Sequence, residues 1–305
     1  MVGPGRKRAA VVEVVEEGLC SLRAACRALR LSWSSFCYRA KKASDQALRL
    51  AAAIIDYSKR YPRYGYRRIR ALLIRAGWTV SRKLVQRIRR AEGLGVKPPK
   101  PRRHRRGAST GKHPTRALHP HHVWSWDFVA SRTDQGAPLR ILSLIDEHTR
   151  QCLSLTVARQ LKSVDIITAL QQAIAQHGAP GHIRSDNGPE FISKTTQAYL
   201  IQHQIKTLYI EPGSPWQNGH VESFHNRLQD ECLKAEHFLS VAEAQVVIED
   251  WRQTYNQIHP HSRLGFLSPQ AFATLWKERQ KIQHRVVDSG RPPASLHQRL
   301  TLQTT

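Results

Sequence analysis

Apolar residues along this chain keep a helical rhythm over the first 95 residues and a mixed one after residue 118. In the stretch 9–42, Val11, Val14, Val15, Leu19, Leu22, Ala25, Leu29 and Phe36 fall at approximate helical spacing. Gly18 breaks the first helix. Ser21 and Ser32 are placed to cap a second helix to about Leu29 and a third to about Arg39. A serine oxygen at that position accepts a first-turn N–H that has no partner within the helix. Three short helices with a tight turn between the last two make a helix-turn-helix outline. Its third helix would offer Ser34, Ser35, Tyr38 and Arg39 to a major groove. An ordinary small helical bundle carries the same apolar pattern.

Residues 45–95 form a second helical unit. A helix over about 46–60 ends at Tyr61-Pro62. A basic amphipathic helix from Arg67 to Ala76 turns Ile69, Leu72 and Leu73 inward, and Gly77 stops it. Ser81 can cap a last helix with Leu84, Val85 and Ile88 inward. Arg67, Arg68, Arg82, Lys83, Arg87, Arg89 and Arg90 then remain for phosphates. Residues 96–117 hold Pro, Gly and charge without apolar periodicity, and they read as a basic linker. Within it, Arg102, Arg103, Arg105 and Arg106 could lie along a phosphate backbone.

After residue 118 the rhythm shortens. Three strands are predicted, at Val123–Ala130, Leu139–Asp146 and Gln151–Val157, the last two forming a hairpin. Asp146 and Glu147 at that turn are expected to pair with Arg150. A helix over 164–177 follows, with Val164, Ile167, Leu170 and Ile174 toward the sheet. Then come a strand ending at Ser185, a helix over 190–203, a strand over 205–210 and a long helix over 219–233. A further helix spans 243–257, with His259, His261 and Arg263 after it as surface residues or DNA contacts. That succession is the order of an α/β, ribonuclease H-like mixed sheet, over 118–280, preceded by all-α segments at 1–44 and 45–95. Residues 281–305 read as a polar tail. In this order the first and fourth strands can be neighbours.

Charge sharpens the division. Of a net +25, residues 1–116 carry 30 Lys/Arg against 6 Asp/Glu, and the remainder 18 against 17. A field of that sign, concentrated in patterned helices, suits a polyanionic partner better than a merely solvated face. Five cysteines without C-x-x-C spacing support neither a zinc knuckle nor a disulfide framework, and they fit a reducing, cytoplasmic setting. No apolar run approaches the roughly 20 residues of a membrane span, and the N-terminus lacks a signal-peptide core.

Three acids stand out in this otherwise basic chain. Asp127 lies mid-strand in VWSWDFVA, where an ionised carboxylate needs an ion pair or a metal. Asp186 ends a strand, and Glu222 follows it after 35 intervening residues, in the first turn of a helix. Carboxylates on three elements form an oxygen-only set suited to Mg²⁺ or Mn²⁺. Two such ions can activate an attacking hydroxyl and stabilise a leaving oxygen in phosphodiester chemistry.

The segments SWDF, IRSDNGPEF and PWQNGHVESFHNRLQDEC resemble the DDE integrase core of retroviral-type integrases. More narrowly, they resemble the second-frame transposase protein of the IS3 insertion-sequence family. YPRYGYRRIRALLIRAGW resembles that family's helix-turn-helix segment, and the likeness runs from about residue 9 to 276. It implies that Asp127, Asp186 and Glu222 are catalytic metal ligands. Asn187 and Gly188 match the turn after the second acid, and Gln217, Asn218 and Gly219 the loop before the third. Trp216 stands where the active-site loop could stack on a base or pack beneath it. His225 lies one turn beyond Glu222, where it is a core or surface histidine or a neighbour of the scissile phosphate. One position departs: many members carry Lys or Arg seven residues after the glutamate, and here it is Gln229, while Arg227 points elsewhere around the helix.

The resemblance implies a transposase that binds inverted-repeat ends of a mobile element and performs metal-dependent cleavage and strand transfer. It implies double-stranded DNA, further copies of the chain and an upstream-frame protein as partners. With no leucine zipper ahead of the first helix, the chain is expected to be the second frame alone. The alternatives are a DNA-binding regulator with an inactive core, and a ribonuclease H-like nuclease that does not join ends.

Overall fold

The computed structural model describes residues 3–38, 44–96, 115–211 and 215–288, without the side chains of 215, 216 and 284–288. The expected contacts Arg39, Arg102, Arg103, Arg105 and Arg106 lie outside the described residues, as does the Trp216 side chain. The chain divides into two compact units, residues 1–52 and 53–305.

In the first unit, α1 (Pro4–Glu16), α2 (Leu22–Ala28) and α3 (Trp33–Cys37) enclose Val11, Ala25, Cys26 and Leu31. Gly18 has φ +71° after α1, the left-handed geometry that suits glycine at a helix end. The Ser21 and Ser32 hydroxyls accept from Ala24 N–H at 3.4 Å and Ser35 N–H at 3.3 Å, so both expected caps are present. Helix α3 spans five residues and ends before the expected Arg39. The Ser34 and Ser35 hydroxyls bond to Ser32 at 3.2 and 2.8 Å. Helix α4 runs over Asp45–Arg60.

In the second unit, α5 (Tyr66–Arg75) and α6 (Arg82–Ala91) form the expected pair about Ile69, Leu72, Leu73 and Val85, with Ser81 capping α6. Two arginines correct the sequence reading. Arg89 is buried and donates to the carbonyls of Tyr64 and Leu94 at 2.7 and 2.8 Å. Arg68 is committed to Glu231 at 3.3 Å, a partner far away in sequence. His259, expected at the surface, is buried with its Nδ1 3.0 Å from the Tyr64 hydroxyl. Arg67, Arg82, Lys83 and Arg87 stay open to solvent at least in part.

The rest of this unit is a five-stranded sheet in the order β3-β2-β1-β4-β5. β1 (Val123–Arg132), β2 (Pro138–Asp146) and β3 (Cys152–Ala158) are antiparallel. β4 (His182–Ser185) and β5 (Lys206–Tyr209) continue from β1 in parallel. One face buries Trp124, Trp126, Leu142, Leu144 and Ile183 beneath α7 (Ser163–His177) and α8 (Lys194–Gln202). Helix α7 turns Ile166, Ala169, Leu170 and Ala173 inward, and Val164 is exposed. The i, i+3, i+4, i+7 stripe is therefore set off from the expected one by a partial turn. Helix α8 starts four residues later than expected, capped by Ser193, whose hydroxyl accepts from Thr196 N–H at 3.2 Å.

The other face buries Val129, Leu139, Ile141 and Ile145 against α9 (Gly219–Leu228) and α10 (Val241–Gln257). The expected long helix is α9 continued by a single π turn over Gln229–Leu233, so Gln229 sits where the helical repeat changes. Helix α11 covers Pro269–Asp288, past the expected boundary at residue 280. No helix among the described residues is long and apolar enough to cross a membrane.

Candidate active site

Strand pairing brings the first two acids together. β1 and β4 run parallel with Ser125 opposite Arg184, and Asp127 and Asp186 each lie two residues further on. Strand residues two apart point to the same side. Both acids therefore belong to the face that α9 covers, and α9 carries Glu222 in its first turn. Val221, Phe224 and Leu228 anchor that helix in the core, which leaves Glu222 on the exposed side.

The environment of Asp127 reports the convergence. Its pKa rises from 3.8 to about 6, chiefly because burial penalises the charge and then because Asp186 and Glu222 repel it, opposed by the Phe128 N–H bond. That N–H reaches Asp127 Oδ1 at 2.7 Å. Asp186 is exposed, and its Oδ1 accepts from Gly188 N–H at 3.0 Å. A Cβ on Gly188 would stand 3.1 Å from that oxygen and 3.1 Å from the Phe191 ring, so a side chain there would push on the Asp186 carboxylate. Among the described residues, no three His, Cys, Asp or Glu side chains close into a metal-holding group. The acids share one field while Asp186 and Glu222 remain at the surface. An oxygen-only set in which one carboxyl is already desolvated and repelled suits a hard divalent cation, whose charge would relieve both penalties.

The expected supporting residues take distinct places. Asn187 Nδ2 donates to the Ile210 carbonyl at 3.3 Å, tying the Asp186 turn to the end of β5. Gln217 is nearly buried, and its Oε1 accepts from Glu211 N–H at 3.1 Å, which closes the loop leading to α9. Asn218 is buried with its Oδ1 unpartnered among the described residues. Gly219 opens α9. His225 reaches one of the acids: its Nδ1 lies 3.7 Å from Asp127 Oδ2, and its Nε2 lies 2.7 Å from Ser143 Oγ. Burial pushes this imidazole down to about 4.

One neighbour of the acids, Ser143, was missed in the sequence, and two expected turn acids, Asp146 and Glu147, take other partners than Arg150. Ser143 sits opposite Asp127 in the β1–β2 register and donates to its carbonyl oxygen at 3.1 Å. Glu147 pairs with Arg184 at 2.7 Å and accepts the Ser125 hydroxyl, instead of pairing with Arg150. The reason is geometric: Ser125 and Arg184 are register partners on the acids' side of the sheet. Asp146 accepts from His121 N–H, His148 N–H and the Thr149 hydroxyl, so it fixes the turn. The Ser143 and Glu147 pairings follow from the sheet register, whereas the Asp146 bonds to His148 and Thr149 are local to the turn.

Residues 117–215 and 203–269 each match an integrase core domain, and residues 43–103 an HTH-like domain. The chain is 34% identical over 279 residues to an uncharacterized 39.2 kDa protein of insertion element IS476 from Xanthomonas euvesicatoria, covering 92% of this chain and 80% of the relative. It is 27% identical over 270 residues to transposase InsF of insertion sequence IS3A from Escherichia coli strain K12, covering 83% and 93%. Among solved structures it is similar to the HTLV-2 integrase catalytic core domain in complex with magnesium, at 22% identity and a TM-score of 0.43, over 52% of this chain and 99% of that one.

Proposed function

The chain belongs to the insertion-element transposase family of IS3 type, with an HTH-like domain ahead of an integrase core, and on that premise we propose that it cuts and joins DNA at the ends of a mobile element. The observation that carries this reading is the strand register that sets Asp127 and Asp186 side by side on the face covered by α9, whose first turn carries Glu222. Asp127 is repelled by both Asp186 and Glu222 although they stand on three separate elements.

Asp127, Asp186 and Glu222 would hold Mg²⁺ or Mn²⁺, two ions in the fullest form of the site. Bound there, the metal supplies Lewis-acid polarisation of the phosphoryl oxygens and lowers the pKa of the attacking hydroxyl. Asp127 is the fixed member, held by its bond from Phe128 N–H. The Gly188 N–H aims Asp186, and the packing of Val221 and Phe224 sets the height of Glu222. His225, neutral and held by Ser143, orients the Asp127 side of the site.

In the first reaction, water attacks a phosphorus at the element end. A P–O bond to water forms, the bond to the 3′-oxygen breaks, and that oxygen leaves as a 3′-hydroxyl. In the second, the 3′-hydroxyl attacks a target phosphorus and displaces a target 3′-oxygen, which takes up a proton. The count of phosphodiester bonds is conserved in the transfer, so it needs no external energy source. The amino-terminal helices would bind the inverted repeats. Two ends handled together call for more than one copy of the chain, and an upstream-frame protein joins the reading from the sequence resemblance.

The test is a duplex bearing the element end, labelled on the strand to be cut, incubated with Mg²⁺ and a target duplex. Labelled products longer than the substrate support transfer. Shortened products alone indicate a hydrolytic nuclease, and binding without either product indicates a regulator with a silent core.

A further inference from the structure

Close to the three acids lies a second site of opposite charge. A cleft of about 760 Å³ opens beside the β2–β3 turn, the first turn of α9 and the segment after α10. Arg116, Arg150, Arg227 and Arg263 line it. The one acid in its lining, Glu147, is already taken by Arg184 at 2.7 Å. Gly219 also lines it, which brings in the positive end of the α9 dipole.

Three nitrogens of this lining are buried with no hydrogen-bond partner among the described residues: Arg150 Nε, His148 Nδ1 and His261 Nδ1. Arginine Nε always carries a hydrogen, so at least one donor in a residue lining the cleft is unused. A buried donor without an acceptor is costly, and a ligand supplying anionic oxygens removes the cost. Arg150 also holds φ +64°, a conformation strained for any residue with a Cβ. Among the described residues none of the four arginines makes a salt bridge: Arg150 contacts His220, which adds no negative charge, and feels Glu147 and Asp146 only through space.

The position of the cleft is as telling as its charge. Ser125 and Asp127 share one side of β1 and are separated by roughly 6–7 Å along it. Ser125 bonds Glu147, and Glu147 lines the cleft. The cationic surface therefore begins one strand step from the buried acid.

We propose that this cleft binds the phosphodiester backbone of a DNA strand continuing from the carboxylate site, with Arg116, Arg227 and Arg263 on its phosphates and Arg150 as the half-buried anchor. The proposal rests on the polynucleotide reading above. It also gives Arg227 a task on a helix that lacks a cation at Gln229.

Arg116 and Arg263 are exposed, so their loss should leave the fold intact. The experiment measures duplex binding by the full chain over a range of salt. It compares the unmodified protein, an Arg116→Gln/Arg263→Gln pair and a control Arg132→Gln/Arg159→Gln pair, also exposed and outside the cleft. With two phosphates no longer neutralised, the slope of log affinity against log salt should shrink by roughly two in the cleft pair and stay unchanged in the control. A second arm places neutral methylphosphonates one at a time around the scissile phosphate. At least one position should weaken binding by the unmodified protein about tenfold and leave the cleft pair unaffected. An unchanged slope, an equal loss in the control pair, or no coupled methylphosphonate position overturns the proposal. Cleavage by the unmodified protein is read separately: its absence with the slope difference present overturns the strand-transfer reading and leaves the cleft standing.

Discussion

His225 holds its Nδ1 3.7 Å from Asp127 Oδ2, while Ser143 fixes the opposite ring nitrogen at 2.7 Å. Ser143 gives its hydrogen to the Asp127 carbonyl, so Nε2 of a neutral His225 donates to Ser143. Nδ1 is then a lone pair beside a carboxylate, an arrangement that attracts a proton or a cation. Replacing His225 by Ala should lower Mn²⁺ affinity or cleavage by about 10–100-fold with the fold retained. Ser143→Ala should act in the same direction and less. Metal titration and single-turnover cleavage of both variants check this, and an unchanged His225→Ala would remove the residue from the site.

The raised Asp127 carboxyl predicts opposite pH responses with and without metal. A folded-state pKa above the unfolded one gives stability that is fully present below about 3.8 and lost as pH rises through about 6. Without divalent cation, the unmodified chain should thus lose melting temperature between pH 4 and 7 relative to Asp127→Asn. Metal needs the ionised carboxyl, so Mn²⁺ affinity should climb up to about tenfold per unit below pH 6 and level off above 7. Thermal melts of both proteins across pH, with and without Mn²⁺, decide it.

Gly188→Ala should spare the fold and damage the chemistry. The new Cβ meets Asp186 Oδ1 and Phe191 at 3.1 Å, and Asp186 is the exposed and more mobile neighbour, since Phe191 is stacked on Trp126 and Phe128. A displacement of a few tenths of an ångström should cost roughly tenfold in cleavage. Equal rates at equal melting temperature would contradict the assigned role of the turn.

Glu147 and Arg184 are 1% and 6% exposed, so removing one leaves a buried charge. Glu147→Ala should destabilise the chain by about 3–5 kcal/mol, and a Glu147→Leu/Arg184→Met pair should recover most of it. Denaturant unfolding of the single and double variants tests the coupling.

The local parts of this molecule could be read along the chain. Ser21, Ser32 and Ser81 cap helices as their neighbours dictate, and Gly18 and Gly77 end them at positive φ. The strand succession led to β1 beside β4, and with it to Asp127 near Asp186. What could not be read depends on partners far away in sequence. Arg68 looks like a phosphate contact until the fold supplies Glu231, and His259 looks superficial until Tyr64 covers it. Ser143 carries no motif, and its place beside Asp127 exists only through the β1–β2 register. The phase of α7 was missed because Val164, Ile166 and Ile167 are all apolar, so the pattern alone does not say which faces the sheet.

Were Asp127, Asp186 and Glu222 one metal-dependent centre, Asp186→Asn would silence it and leave the amino-terminal helices untouched. The variant should bind an element-end duplex with the affinity and salt dependence of the unmodified chain, yet yield neither cut nor joined strands in Mg²⁺ or Mn²⁺. Cleavage or joining by Asp186→Asn at the unmodified rate would contradict the assignment of the three acids to one centre.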